Sequence, residues 1–254
     1  MKINVLGSGH MGKQICSLFV VIGHNVKIWQ NSHQNHEKLI QKEIIKIEKH
    51  FKIKAKGNYT FIKNIDELEN DLTIETIKED LILKKNIISN LKFKENIFSN
   101  TSSLRLSEIG ENVNGLHFMN PITIPLIELC KNKNYSNNLI DNLISSLKEF
   151  SYEIIDVENN SGFLVNRILF NEISYFFYLY EFEKVSINDL RKINKILIKN
   201  LDPIKIVNMI GIDTCLSILE NLKKENKNIY IPKILKESVK NNILGYKNKK
   251  LLKI

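Results

Sequence analysis

The sequence predicts an α/β domain built on a parallel sheet, followed by an all-helical C-terminal domain, on three observations. Short β-branched runs alternate with amphipathic segments through the first half, the rhythm of strands wrapped by crossover helices. After Val157 the strand alternation disappears and only helical runs follow. A glycine-rich turn lies between the first strand and the first helix. The change of pattern places the expected domains at residues 1–158 and 159–254.

Taken in order, Lys2–Leu6 reads as a strand, a helix starts near His10, and Val26–Trp29 is the second strand. A lysine- and glutamate-rich helix from His36 to Lys54 follows, with Leu39, Ile40, Ile44, Ile47 and Phe51 on one face. Strands are expected next at Tyr59–Ile62, Leu72–Glu75, Asn96–Ser99, Val113–His117 and Leu126–Leu129. A helix over Asn137–Phe150 and a strand at Tyr152–Ile155 close the sheet. In the second half, Phe163–Glu183 is one long helix dense in Phe, Tyr, Leu and Ile. Further helices are expected at Ile187–Lys199, Asp202–Met209, Asp213–Asn221 and Pro232–Asn241, with Ser186 and Asp202 as N-caps.

The 254 residues, 43% hydrophobic and 26% charged, are ample to bury a core and exclude wholesale disorder. No window approaches the roughly eighteen apolar residues of a membrane span, so no membrane partner is expected. One lysine before a short strand and then glycines does not read as a signal peptide. Cys16, Cys130 and Cys215 lie far apart with no CxxC, which suits buried thiols of a reducing compartment rather than disulfides or a zinc site. The expectations are a cytoplasmic chain and no metal. The net charge is +9, yet only Arg105, Arg167 and Arg191 are arginines. Without an arginine stripe or recognition motif this is a lysine-coated surface that attracts phosphates weakly, and no nucleic acid is expected as a partner.

Gly7-Ser8-Gly9-His10-Met11-Gly12 follows a predicted strand and opens a predicted helix, the context in which GxGxxG binds a dinucleotide. Gly7 permits the tight turn, Gly9 lets a pyrophosphate approach the backbone, and Gly12 allows close packing of helix on strand. The N–H groups of the helix start, including those of His10 and Met11, then face the phosphates. The first domain is therefore expected to be of the Rossmann type; three glycines serving an ordinary tight turn are the alternative. An acidic residue is expected at the end of the second strand to hold the adenosine ribose. Here Val26-Lys27-Ile28-Trp29-Gln30-Asn31-Ser32 places Gln30 there, a neutral group that repels no 2′-phosphate. With no arginine nearby NAD is the expected cofactor, and NADP stays open.

In Gly115-Leu116-His117-Phe118-Met119-Asn120-Pro121, a histidine at a strand end precedes Glu128 by one short strand. A carboxylate that orients an imidazole and stabilises its charged form makes a general base for a hydroxyl proton. Taken alone, a histidine of this kind also reads as structural.

The neighbours of that run carry a resemblance. Asn100-Thr101-Ser102-Ser103-Leu104, then Gly115–Pro121, then Ser161-Gly162-Phe163-Leu164-Val165-Asn166-Arg167 are similar, in this order, to motifs of the 3-hydroxyacyl-CoA dehydrogenase family. The segment from Asp71 to Leu81 with Lys84-Lys85, and Gly211-Ile212-Asp213-Thr214, resemble two more, so the likeness spans almost the whole chain. It implies an NAD-dependent oxidoreductase of fatty-acid metabolism acting on the 3-hydroxy or 3-oxo carbon of an acyl thioester. His117 would be the catalytic base, Glu128 its partner, and Ser102 and Asn166 the residues that hold the substrate oxygen. Glu75, Lys84, Asn100 and Asn120 would line the nicotinamide side. An acyl-CoA substrate and a homodimer formed through the helical domain are also implied. The apolar circumference of the run Phe170 to Phe182 agrees with a dimer.

Some roles have plainer readings: Ser102 and Asn100 as caps of a following short helix, Glu79 and the lysine pair as a solvated helix face. The chain also departs from the family pattern. It is shortened between Ser102 and His117, and by one residue between Pro121 and Glu128, a slip that would turn Glu128 away from His117 unless a bulge compensates. The second helix of the family's CoA-contacting arm is missing, because Ala55-Lys56-Gly57-Asn58 leads straight to the Tyr59 strand. The C-terminus from Gly245 and the stretch Asn200-Leu201-Asp202-Pro203 also differ. A carrier-protein-tethered or free hydroxy acid, or a weakly catalytic NAD-binding protein, are therefore the competing readings.

Overall fold

A computed structural model describes residues 1–30, 36–132, 135–197 and 202–254. They divide into two compact units, Met1–Asn160 and Ser161–Ile254.

The first unit is an eight-stranded sheet with helices. In chain order it runs β1 (Lys2–Leu6), α1 (His10–Val21), β2 (Asn25–Trp29), α2 (Glu37–Phe51), β3 (Asn58–Ile62), β4 (Leu72–Glu75), α3 (Leu81–Ser89), β5 (Ile97–Ser99), α4 (Leu106–Ile109), β6 (Val113–Phe118), β7 (Leu126–Cys130), α5 (Asn137–Lys148) and β8 (Glu153–Asp156). The strands lie in the order β3-β2-β1-β4-β5-β6-β7-β8. All neighbours are parallel except β6 and β7, which form an antiparallel pair. The chain starts at β1 in mid-sheet and winds outward both ways, so the carboxyl ends of β1, β2, β4, β5 and β6 share one edge, where such sheets bind ligands. Ile3, Val5, Leu72, Ile74, Phe98 and Leu116 on the strands pack with Ile15, Leu18 and Phe19 of α1 and Leu143 and Leu147 of α5.

The second unit is helical: α6 (Val165–Phe182), α7 (Ile187–Leu197), α8 (Pro203–Ile210), α9 (Ile212–Glu225) and α10 (Lys233–Lys240). Its core joins Phe170, Ile173, Phe176 and Phe177 of α6 to Val207, Cys215, Leu219 and Leu235.

Strands and helices fall where the sequence places them, and the differences are at the ends. The helix expected to reach Lys54 stops at Phe51, because Lys52 turns left-handed (φ 57°) and its N–H returns to the Glu48 carbonyl. The helix expected from Phe163 begins at Val165, since Gly162 (φ 74°) and Phe163 (φ 44°) are both left-handed. Asp202 caps α8, its Oδ1 accepting from the N–H groups of Ile204 and Lys205. The expected end of α7 at Lys199, like Asn31, Ser32, Asn200 and Leu201, lies outside the described residues. Cys16, Cys130 and Cys215 are buried free thiols, pushed by burial to about 12, 11 and 12. Among the described residues, no helix is long and apolar enough to cross a membrane, and no cluster of His, Cys, Asp or Glu is placed to hold a metal ion.

Candidate active site

The glycine-rich turn joins β1 to α1. Gly7 is left-handed (φ 102°) and its N–H bonds the Trp29 carbonyl at 2.9 Å, tying the turn to the end of β2. A Cβ on Gly12 would lie 2.0 Å from the Gly7 carbonyl oxygen and 2.6 Å from Thr76 Oγ1, so only glycine lets α1 start this close to the sheet. A Cβ on Gly9 would meet nothing within 4 Å. That open backbone, with the unbonded N–H groups of the first turn of α1, fits the pyrophosphate of a dinucleotide. Gly12→Ala is expected to weaken NADH binding at least tenfold, measured by fluorescence titration, because the clash is with backbone that cannot move alone.

Gln30 stands at the end of β2, and its Oε1 accepts from Ser8 Oγ at 3.0 Å. Ser8 Oγ also lies 2.6 Å from His36 Nδ1.

Three strand ends are tied together beside the turn. The Asn100 N–H donates to the Glu75 carbonyl at 2.8 Å, and Asn100 Oδ1 accepts from the Phe118 N–H, also at 2.8 Å. Asn100 thus fixes β6 immediately after His117. It does not cap α4, which follows Arg105 without a side-chain cap.

His117 and Glu128 face each other across β6 and β7. The His117 ring Nδ1 is 2.7 Å from Glu128 Oε2, with His117 6% and Glu128 1% exposed. The shortened connection after Pro121 therefore causes no slip. Directly opposed residues of an antiparallel pair project to the same face, so pairing in this register brings the two groups together. The carboxylate beside Nδ1 fixes the orientation of the ring.

Glu75 and Lys84 form a buried ion pair. Lys84 Nζ lies 2.8 and 2.9 Å from the two Glu75 oxygens and 3.0 Å from the Ile77 carbonyl. Glu75 also accepts from Ser99 Oγ and the Ile77 N–H, both at 2.5 Å. Glu75 is 0% and Lys84 1% exposed, so what they shape is the backbone after β4.

The expectation of a solvated helix face is corrected for Lys84, which is buried; Lys85 is exposed, and Glu79, also exposed, stands just before α3 with its carboxylate committed to hydrogen bonds. Glu79 Oε1 accepts from Thr101 Oγ1 (2.7 Å), the Ser102 and Ser103 N–H groups (both 2.9 Å) and Ser103 Oγ (3.0 Å). Its other oxygen is 3.3 Å from Lys84. Burial would raise its pKa, but the Lys84 charge and the bonds from Thr101, Ser102 and Ser103 hold it below the ordinary value. One carboxylate thus shapes the turn that carries Ser102. No periodicity marks this residue, because its hydrogen-bond partners Thr101, Ser102 and Ser103 lie more than twenty positions away.

Gln14 is a second residue that the sequence did not single out. It is buried on α1; its Nε2 lies 2.9 Å from His10 Nε2 and 3.2 Å from Asn120 Oδ1, and its Oε1 accepts from the Ile122 N–H at 2.9 Å. His10 Nε2 is itself 3.1 Å from Asn120 Oδ1. The helix after the glycine turn is thereby fastened to the loop after His117. Asn166 lies buried in the first turn of α6, in the helical unit.

Comparison with known proteins gives one family. The model of the 3-hydroxyacyl-CoA dehydrogenase NAD binding domain matches residues 2–160, and that of the C-terminal domain of the same family matches residues 162–252. The chain is 29% identical to a 3-hydroxybutyryl-CoA dehydrogenase of Clostridioides difficile, over 98% of this chain and 97% of the relative. It is similar to the solved (S)-3-hydroxybutyryl-CoA dehydrogenase of Ralstonia eutropha, with TM-score 0.79 and 26% identity over 98% and 96% of the two chains. FadB2 of M. tuberculosis shares the fold, with TM-score 0.82 and 21% identity over 98% and 96%. A Rossmann unit with its glycine-rich turn at the strand ends, a helical second unit and both family models leave one assignment: the chain belongs to the 3-hydroxyacyl-CoA dehydrogenase family and is an NAD-dependent oxidoreductase.

Proposed function

We propose that the chain interconverts the 3-hydroxy and 3-oxo forms of a short acyl-CoA, with His117 as general acid and base. The observation that carries this reading is the buried His117–Glu128 contact at 2.7 Å, at the strand edge shared with the glycine turn. In oxidation, His117 Nε2 takes the substrate hydroxyl proton, and the Glu128 carboxylate offsets the charge that the ring acquires. Bound NAD supplies the acceptor for the hydride that leaves C3. Ser102 donates to the substrate oxygen and holds it toward the imidazole, and in reduction it polarises the ketone that His117 protonates. Asn166, in the helical unit, is proposed as a substrate-binding residue on the family resemblance. Gly7, Gly9, Gly12, His10 and Met11 hold the pyrophosphate, Gln30 the ribose, and Asn100 and Asn120 the nicotinamide side. Glu75 and Lys84 support that side from beneath.

The substrate's carrier has a second reading, favoured by the direct run from α2 to β3. No second helix stands between Phe51 and Asn58 to wall the adenosine end of CoA. Lys42, Lys46, Lys49, Lys52, Lys54 and Lys56 on and after α2 would then steer an acidic carrier protein in a salt-dependent way. Comparing kcat/KM for acetoacetyl-CoA and acetoacetyl-pantetheine separates the two. A loss of about tenfold or more on removing the nucleotide is expected for a CoA enzyme, and equal values favour the carrier protein.

A homodimer through the helical unit is also proposed. Phe170, Phe176 and Phe177 are buried, whereas Ile168 (59% exposed), Tyr175 (59%) and Phe182 (51%) leave an apolar face of α6 uncovered. Light scattering at micromolar concentration is expected to give twice the chain mass, and a monomer would contradict it.

A further inference from the structure

The adenosine end of the cofactor site lacks the carboxylate that usually marks it, and the groups standing there are arranged as a directed relay. From Trp29 to His36 the sequence contains no acidic residue; the first is Glu37, in the first turn of α2. Ser8 has a single hydroxyl proton, and it donates that proton to Gln30 Oε1 at 3.0 Å. His36 Nδ1, at 2.6 Å, is then the donor to Ser8 Oγ. With Oε1 occupied, Gln30 offers its Nε2 hydrogens to whatever binds at the end of β2.

From this we infer that the site accepts a 2′-phosphorylated dinucleotide nearly as well as an unphosphorylated one, and that Gln30 sets this tolerance. A carboxylate at this place accepts a hydrogen bond from the 2′-hydroxyl and repels a 2′-phosphate, which makes selectivity for NAD. An amide donor bonds a hydroxyl oxygen and a phosphate oxygen alike. The opposite relay, Gln30 Nε2 to Ser8 Oγ to His36 Nδ1, would present Oε1 instead and disfavour the phosphate, so the two directions have opposite consequences for binding.

The test is fluorescence titration of NADH and NADPH against the wild type, Gln30→Asp and Gln30→Glu, without substrate. NADH binding by the wild type checks the dinucleotide site separately from its selectivity. The wild-type dissociation constants are expected to agree within about tenfold, and each acidic variant to raise the NADPH-to-NADH ratio at least about tenfold. A wild-type preference for NADH above about tenfold overturns the inference, as does a smaller rise in whichever acidic variant still binds NADH.

Discussion

His117→Gln is expected to lower kcat with 3-hydroxybutyryl-CoA by about 10²–10⁴-fold and to leave NADH affinity close to that of the wild type. The glutamine amide still donates to Glu128 but has no group that takes a proton at the former Nε2. The groups proposed to hold the pyrophosphate and the ribose stand on the β1–α1 turn and at the end of β2, not on β6, so binding separates from turnover. His117→Ala is expected to lose as much activity and some stability besides, since it leaves Glu128, 1% exposed, without its partner. Near-wild-type turnover in either variant would remove His117 from the chemistry.

The largest stability effect is expected at Lys84, a residue with 1% of its surface exposed. Lys84→Met removes the ammonium that satisfies both Glu75 oxygens at 2.8 and 2.9 Å and leaves an uncompensated buried carboxylate. Breaking one side of such a pair costs about 3–5 kcal/mol, a Tm loss on the order of 10 °C for a chain of this size. The double variant Glu75→Gln with Lys84→Met is expected to recover much of that loss, because the stranded charge is gone. Thermal melts of the two proteins check this, and equal losses would mean that the cost is one of packing rather than of charge. The Ser102 turn depends on Glu79, which Lys84 also holds, so the single variant is expected to lose turnover as well.

The sheet was legible in the sequence almost residue by residue, because its strands leave short runs in which β-branched residues recur, such as Ile3 and Val5 in Lys2–Leu6 and Thr73 and Ile74 in Leu72–Glu75. Helix ends were less so. Lys52 and Phe163 turn left-handed without being glycine, and neither residue type announces it. Within the site, the GxGxxG run and His117 carried their own signals, the first through its place between strand and helix, the second through its strand end. The facing of Glu128 and His117 could not be read, since it depends on a register that a shortened loop leaves open. Glu79 and Gln14 were hidden for another reason. Each acts through hydrogen bonds to residues distant in the chain, and each lies on a helix or loop where a polar residue is ordinarily solvated. Lys84 misled in the same way: a lysine beside another lysine on a short helix reads as surface, and only the fold reveals the carboxylate beneath it.

In the proposed reaction His117 and Glu128 act as one acid–base unit on an acyl-CoA. A double-mutant cycle on kcat for acetoacetyl-CoA reduction by NADH, with His117→Gln, Glu128→Gln and both together, tests it most directly. Glu128→Gln alone is expected to lose about 10²-fold, through a ring no longer held and charge-stabilised, and the double variant to be no slower than His117→Gln alone. Losses that multiply, or a Glu128→Gln enzyme as fast as the wild type, would contradict the pair.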